Sequence, residues 1–186
     1  MKTLKFYVML LLVLTIAKGV DAQNENKPKG TYLNLNYMMA KMGTIDSEYS
    51  AGLTVGNTFY VHKNPIANMI RFGVDWSFLD LNFAQFGVDY KSYKAEAGMH
   101  IGPSVTVSPV KNLHLSAYAR FAPCYSALYY DNDEEFSGAY ASFFVAGTSV
   151  SYNVISLGIE SRWGTTSYDL GDCEISGVRL YLGFRF

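Results

Sequence analysis

The last nine residues, VRLYLGFRF, alternate strictly between large apolar side chains and polar or small ones. The apolar positions are Val178, Leu180, Leu182, Phe184 and Phe186. Because successive side chains of a β-strand point to opposite faces, this period of two predicts a strand with one apolar and one polar face. The same period recurs in TYLNLNYMM, IRFGVDWSF and LHLSAYARF, and the chain is rich in Tyr, Phe and Gly. The sequence therefore predicts an all-β fold.

Eight alternating segments can be counted along the chain. Their predicted spans are 31–41, 49–60, 69–81, 93–107, 113–127, 137–151, 154–166 and 175–186. The connections after the second, fourth and sixth segments are short, and those after the third, fifth and seventh are longer and more polar. An even number of strands with this alternation of connections is typical of an antiparallel, up-and-down transmembrane β-barrel. Pro103, which lacks a backbone N–H, predicts a bend or bulge in the fourth strand.

The beginning of the chain has the composition of an export signal. A basic start, MKTLK, precedes the apolar run FYVMLLLVLTIA, and Val20 and Ala22 have the spacing of a cleavage site. This pattern predicts a cleaved signal peptide at 1–22, and the run is short for a membrane helix. Residues 23–30 are then a flexible tail, and 31–186 form the barrel domain. An uncleaved helical anchor is the alternative.

Alternation alone does not separate a membrane barrel from a soluble one, because the two differ only in which face points outwards. The polar face of this chain mixes large charged residues with several glycines, which suits the tight lumen of a narrow barrel better than a soluble exterior. We therefore predict a lumen lined by a charge network in which cations outnumber acids, with water in places. Its members are Arg71, Asp75, Lys94, Glu96, His100, His114, Arg120, Glu160, Arg162, Arg179 and Arg185.

The two cysteines, Cys124 and Cys173, are placed by the predicted strands near the outer end of the fifth strand and in the last long loop. An even number of cysteines in an exported chain favours a disulfide. However, these two segments are not neighbours in the sheet, so a bridge requires the loop to fold over the barrel mouth. Both outcomes stay open from the sequence.

The sequence also resembles a known family. The stretch GPSVTVSPVKNLHLSAYARFAPCYS and the terminal strand resemble small outer-membrane β-barrels of the Bacteroidetes type, akin to OmpX-like barrels. The resemblance implies an outer-membrane location in a Gram-negative cell envelope, with outer-membrane lipid and lipopolysaccharide as surroundings. It also implies that the alternation from Val178 to Phe186 is the signal read by the barrel assembly machinery. The oligomeric state is not predicted.

Few functional classes are compatible with these features. A net charge of −1 without a basic block argues against nucleic acid as a partner, and no HExxH, CxxC or calcium-loop motif predicts a metal or cofactor. The interior of an eight-stranded barrel is only wide enough for side chains, so an open pore is not expected. We therefore predict a non-enzymatic barrel with a structural role or a surface-binding role through its extracellular loops.

Two other classes remain open. One is a lipid-modifying enzyme with its site at the outer rim, where Ser126, Ser137, Asp131, Asp133 and Glu135 would lie. A nucleophile set of His114, Ser116 and Glu96 can also be drawn across neighbouring strands, but it uses common residue types. The other class, less favoured, is a secreted soluble ligand-binding barrel.

Overall fold

The structure, a computed structural model, describes residues 28–87, 91–131, 135–168 and 171–186. Eight antiparallel strands form one closed barrel in which each strand pairs with the next and the last pairs with the first. The strands are β1 (Thr31–Met42), β2 (Ile45–Tyr60), β3 (Ile70–Phe86), β4 (Ser92–Val110), β5 (Leu113–Tyr130), β6 (Glu135–Tyr152), β7 (Ile155–Tyr168) and β8 (Gly171–Arg185). The predicted fold class is confirmed. The predicted signal peptide lies outside the described residues.

The alternating final strand closes the barrel. Leu182 pairs with Leu35 and Leu180 with Tyr37, so β8 and β1 are joined with their apolar residues on the same face. The backbone N–H of Phe186 donates to the carbonyl of Thr31 at 2.9 Å, one residue beyond the printed end of β8. The backbone hydrogen bonding between β8 and β1 therefore continues to Phe186.

The connections at the two ends of the barrel differ in length from those predicted. We call the end that holds Thr31 and Arg185 the terminal end, and the other the distal end. The strands β3 to β6 have 17, 19, 18 and 18 residues, whereas about 9–11 residues cross a bilayer. Much of what was predicted as long distal loops is thus strand, and the nine residues 61–69, at the terminal end, form the longest connection. The prediction of long distal loops was wrong, whereas the connections after β4 and β6 at the terminal end are short, as predicted, with two residues each.

The reason is visible at the distal end of β3. The segment after Leu81 was interpreted as a polar loop, but it keeps the period of two: Phe83 is exposed, and Asn82 and Ala84 face the interior. Its residues continue the pairing with β2 and β4 up to Phe86. The polar residues after Leu81 therefore belong to a part of β3 that extends beyond the bilayer, and they do not indicate that the strand ends.

A β-bulge on β3 changes which side chains point inwards. Ser77 and Leu79 pair with two consecutive residues of β2, which leaves Phe78 as an extra residue, and the register to β4 shifts at the same place. Phe78 and Leu79 both point outwards, so the next polar residue, Asp80, turns into the lumen. A bulge of this kind reverses the inward and outward phase for the rest of the strand.

A bend or bulge was predicted at Pro103, and the structure has no bulge there. Pro103 pairs with Val74 of β3 in an uninterrupted register. On the other side of β4, pairs to β5 are absent between Ile101 and Ser104 but resume in the same register. The missing N–H of the proline is therefore accommodated by a local gap in one ladder and not by an inserted residue.

The outer surface of the barrel is apolar over a broad belt. Its exposed large side chains include Leu35, Phe72, Val74, Ile101, Leu115, Phe121, Phe144, Val150, Leu157, Ile159, Leu180 and Leu182. The inward phase carries the polar and charged residues. An apolar exterior around a polar interior is the arrangement of a barrel whose outer face contacts lipid. Among the described residues, no helix is both long and apolar enough to cross a membrane.

Leu180 and Phe136 offer a matched test of this exterior. Leu180, 45% exposed, lies about 13 Å from the terminal end at about 3.3 Å per residue and a tilt of about 40°, near the middle of an apolar band about 25 Å tall. Phe136, 68% exposed, lies about 40 Å from that end on the same estimate and so beyond the band.

Leu180→Arg should destabilise the barrel in lipid vesicles by about 2–4 kcal/mol, because the guanidinium loses water and gains no partner. Phe136→Arg should cost under about 1 kcal/mol, since water reaches that position. Guanidinium titrations of both variants in vesicles measure the difference. Equal losses at the two positions would contradict the location of the membrane belt.

Candidate functional site

The lumen is the candidate functional site, because the polar residues of all eight strands meet there. The eleven side chains assigned to it from the sequence are between 1% and 8% exposed. They form three groups along the barrel axis: a central group, a distal group and a terminal group. The three groups differ in how well their charges are balanced.

The first carboxylate of the central group is Asp75. Tyr32 donates its hydroxyl to Asp75 Oδ1 at 2.7 Å, and Thr58 donates to Oδ2 at 2.8 Å. Arg120 Nε lies 3.3 Å from Oδ1. Both oxygens of this buried carboxylate are therefore engaged by donors from β1, β2 and β5, which offsets the cost of removing the charge from water.

The second carboxylate is Asp80, which is 4% exposed. Arg179 donates to its two oxygens from Nη1 and Nη2, at 3.1 and 3.2 Å, in a two-pronged ion pair. Thr54 and Asn82 each donate at 2.6 Å, and His100 Nε2 lies 3.1 Å from Oδ2. Arginine favours this paired geometry because its planar guanidinium presents donors in a fixed fork.

The third carboxylate, Glu160, joins the two ion pairs into one network. Arg120 Nη2 donates to Oε1 at 2.9 Å, and Arg179 Nη1 donates to Oε2 at 3.2 Å. Tyr118 also donates its hydroxyl to Oε1, at 2.8 Å. The two arginines and three carboxylates therefore connect β3, β5, β7 and β8 across the lumen.

Asp80 was missing from the sequence prediction. A strand continued in strict alternation from Asp75 and Ser77 places Asp80 on the outer face. The signal that could have found it is the apolar pair Phe78–Leu79, after which the alternation resumes in the opposite phase. A break of this kind in an otherwise regular pattern indicates a bulge.

The distal group contains one acid and two cations. Glu96 contacts Lys94 Nζ at 2.6 Å through Oε1, and Arg162 Nη1 donates to Oε2 at 2.7 Å. The Arg162 guanidinium stacks over the ring of Phe143, with Cζ 3.8 Å from the centroid. The aromatic face thus stabilises the charge of Arg162, which shares the single acid Glu96 with Lys94.

Apolar side chains fill the distal lumen around this group, which the sequence prediction did not anticipate. One cluster contains Ala122, Ala141, Phe143, Val145 and Ile175, and a second contains Met38, Ala40, Ala84 and Phe86. The cavity between Lys94, Glu96 and the second cluster has a volume of only about 10 Å³, roughly the minimum for one water molecule. The space beside Lys94 and Glu96 is therefore closely packed.

Tyrosines and glycines set the width of the lumen in its terminal half. The ring of Tyr118 lies directly over Gly147, and the ring of Tyr181 lies over Gly158, so a β-carbon at either glycine would clash with the ring. The two hydroxyls are 3.1 Å apart. The glycines on the polar face therefore make room for aromatic rings that span the barrel.

The terminal group consists of Arg71, His114 and Arg185, and it contains no acid. Arg71 Nη1 donates to the carbonyls of His62 and Lys63, at 3.3 and 2.8 Å. Arg185 donates to a backbone carbonyl of the N-terminal segment, and its guanidinium lies 5.4 Å from the ring centroid of Tyr32. Within the described parts of the chain, Arg71 and Arg185 have carbonyl partners and no carboxylate partner.

The cysteines are not bridged in the structure: both Cys124 and Cys173 are free. Cys173 lies within β8, where it pairs with Thr166 of β7, and not in the predicted loop. Two strands, β6 and β7, separate β8 from Cys124 on β5. Both side chains pack against the same interior apolar cluster, and the bridge that the sequence left open is not formed in this structure.

The residues drawn as a nucleophile set are not brought together. Ser116 forms its hydrogen bond with Thr106, at 2.9 Å, and Glu96 belongs to the distal group. His114 instead contacts Ser108, with Nδ1 2.8 Å from Oγ. Within the described residues, no three His, Cys, Asp or Glu side chains are arranged to hold a metal ion.

Comparison with solved structures gives the fold class. Neisserial surface protein A superposes with a TM-score of 0.55 at 13% identity, over 87% of this chain and all of that one. The outer-membrane enzyme PagL superposes with a TM-score of 0.50 at 9% identity, over 82% of this chain and 99% of that one. Ail, the attachment invasion locus protein of Yersinia pestis, also matches, with a TM-score of 0.46 at 11% identity, over 87% of this chain and 99% of that one.

The chain therefore has the fold of the small eight-stranded outer-membrane β-barrels. Neither a family model nor a curated protein matches the sequence. At these identities the likeness extends to the fold and not to the activity, and the proteins that share it include both a surface protein and an enzyme.

Asp80 and Asp46 provide a matched pair for testing the central network. Asp80→Asn should destabilise the barrel by about 3–5 kcal/mol, because it leaves the buried Arg179 charge undercompensated. Asp46 pairs with Lys41 at 3.1 Å on the exposed surface, so Asp46→Asn should cost under about 1 kcal/mol. Denaturant unfolding in neutral detergent measures both. A loss at Asp80 no larger than that at Asp46 would show that the network contributes little to stability.

Proposed function

We propose that this protein is a non-enzymatic outer-membrane barrel that presents a binding surface at its distal end. The observation that carries the proposal is the closed lumen. The network around Asp75, Asp80 and Glu160 crosses the barrel, and the cavity between Lys94, Glu96 and the apolar side chains behind it has a volume of only about 10 Å³. A barrel closed in this way has no continuous path for a solute, so its contacts with other molecules are made at its ends and surface.

The distal strands supply a surface that extends beyond the bilayer. Tyr93 stacks with Tyr129, at a centroid distance of 6.4 Å, and with Phe83, at 6.1 Å. Tyr125 and Phe136 are also strongly exposed in this part of the barrel. Exposed aromatic side chains on a rigid sheet are suited to binding, because they offer large contact areas with little loss of conformational freedom. In this proposal, the surface binding that was predicted for extracellular loops is performed mainly by residues of the strands.

The same fold supports a proposal for the location and the partners. We propose that the barrel lies in the outer membrane of a Gram-negative cell, with the distal end outside and both termini in the periplasm. Its surroundings are then outer-membrane lipid and lipopolysaccharide. The resemblance in the β4–β5 hairpin supports membership of the Bacteroidetes-type small barrels, and export through a cleaved signal peptide at 1–22 supplies the route.

The second candidate function is a lipid-modifying enzyme at the distal rim, as one protein of the same fold is an enzyme. The positions of the histidines argue against it. The chain has three: His62 and His114 lie at the terminal end, and His100 is buried in the central network. A distal site would therefore lack the side chain that most often serves as general base.

Conductance and lipid analysis test the proposed function together. Purified barrel in planar bilayers should give no ion conductance, in contrast to an open porin measured in the same bilayers, because the central network closes the lumen. Outer-membrane lipids incubated with the barrel should keep their mass spectrum unchanged. Stepwise conductance would contradict the closed lumen, and a new lipid species would establish the enzymatic alternative.

Phe186 tests the proposed assembly signal. We expect Phe186→Ser to lower the amount of folded barrel in cells, because the assembly machinery would read the last strand, but to leave refolding into lipid vesicles nearly unchanged. Tyr152→Ser is the control, since Tyr152 is an aromatic residue at the same end of the barrel but belongs to β6. The measurement is the heat-modifiable gel mobility of the folded form. Equal amounts of the two variants in cells would contradict a signal at the C-terminus.

A further inference from the structure

A cavity of about 570 Å³ opens at the terminal end of the barrel. It lies between the β2–β3 connection and the β4–β5 turn, beside the terminal group described above. Its lining includes Lys63, Arg71, Lys111 and His114, together with Ser108. Basic and polar hydrogen-bonding groups therefore converge on one cavity.

Arg71 is the fixed part of this site. Its side chain is 5% exposed, and two backbone carbonyls of the β2–β3 connection hold Nη1 in place. A guanidinium has five donors, so two carbonyl contacts leave capacity for a further acceptor. Because the connection folds around the side chain, the orientation of the guanidinium is set before any ligand arrives, which lowers the entropic cost of binding.

Among the described residues, the buried guanidinium of Arg71 has backbone carbonyls and no carboxylate as hydrogen-bond partners. Asp75, a buried acid of the neighbouring central group, is already engaged by Tyr32, Thr58 and Arg120. A buried guanidinium is electrostatically unfavourable without an anion, so the site is more stable when an anion lies beside Arg71.

We propose that this terminal cavity binds a phosphate-bearing anion. Phosphate presents several acceptor oxygens and up to two negative charges, which match a fixed guanidinium, the ammonium of Lys63 and the hydroxyl of Ser108. A carboxylate has only two oxygens and one charge and would satisfy fewer of these groups. The site is separate from the distal surface, so the inference does not depend on the proposed function.

Two sources could supply this chemistry at the terminal end. One is soluble inorganic phosphate or a small phosphate ester. The other is the headgroup of a phospholipid in the adjacent leaflet, since the cavity lies where the barrel meets the membrane interface. The chemistry of recognition is the same in both cases, and the two are separated by the choice of probe.

The test is calorimetric titration of the folded barrel in neutral detergent at low ionic strength. The three probes are inorganic phosphate, short-chain dihexanoyl phosphatidylglycerol and acetate. Lys63→Gln removes an exposed charge from the cavity without disturbing the core, and Lys41→Gln removes an exposed lysine at the distal end as the matched control. His114→Gln tests a second wall of the cavity. Heat-modifiable gel mobility establishes that each variant is folded.

Phosphate, the phosphatidylglycerol or both should bind, and acetate should bind more weakly than either ligand that binds. Binding should weaken about fivefold or more in Lys63→Gln, the loss expected for one charged contact, and should be unchanged in Lys41→Gln. Binding of phosphate alone identifies a soluble ligand, and binding of the lipid alone identifies a headgroup. No binding of either probe, equal binding of acetate, or equal loss in the Lys63 and Lys41 variants would overturn the proposal.

Discussion

Arg179 is the residue on which the interior of this barrel most depends, because it is the least exposed charge in the lumen and is shared by two carboxylates. It donates to both oxygens of Asp80 and to one oxygen of Glu160, and Asn82 accepts a further hydrogen bond from Nη2 at 3.0 Å. Such a charge is tolerated in a low-dielectric interior only when acids and acceptors compensate it, and here both Nη1 and Nη2 are engaged while Nε has no hydrogen-bond partner among the described residues. The Tyr, Thr and Asn side chains around it donate hydrogen bonds to the carboxylates of the network. The arginines, the acids and these donors therefore depend on one another.

The bulge at Phe78 is what allows this network to form. Without the extra residue, Asp80 would point to lipid and Arg179 would keep Glu160 as its main acid. The bulge therefore reduces the excess of cations that the alternation implied, since it adds a fourth acid to the lumen. This also explains why regular alternation predicted the fold and most lumen positions but not this residue: a period of two assigns faces correctly only as far as the first inserted residue.

The distal lumen shows a second limit of the sequence pattern. The polar face was expected to be polar throughout, yet Phe143 and Val145 of β6 point inwards beside Ile175 of β8. Both phases of SFFVAG are apolar, so alternation gave no contrast by which to recognise the inward residues. The sequence therefore left open which face of β6 points inwards, although in the structure its small residues Ser149 and Ser151 do lie on the buried face.

The three lumen groups differ in charge balance for a physical reason. In the middle of the barrel no solvent is close, so Arg120 and Arg179 need acids at hydrogen-bonding distance, and all three central acids are used there. In the distal group the ring of Phe143 supplements the single acid, Glu96. At the terminal mouth the cavity gives ions and water access to Arg71, so a cation can be kept there without a built-in acid. The same residue type is therefore structural where the lumen is closed and available for binding where the lumen opens.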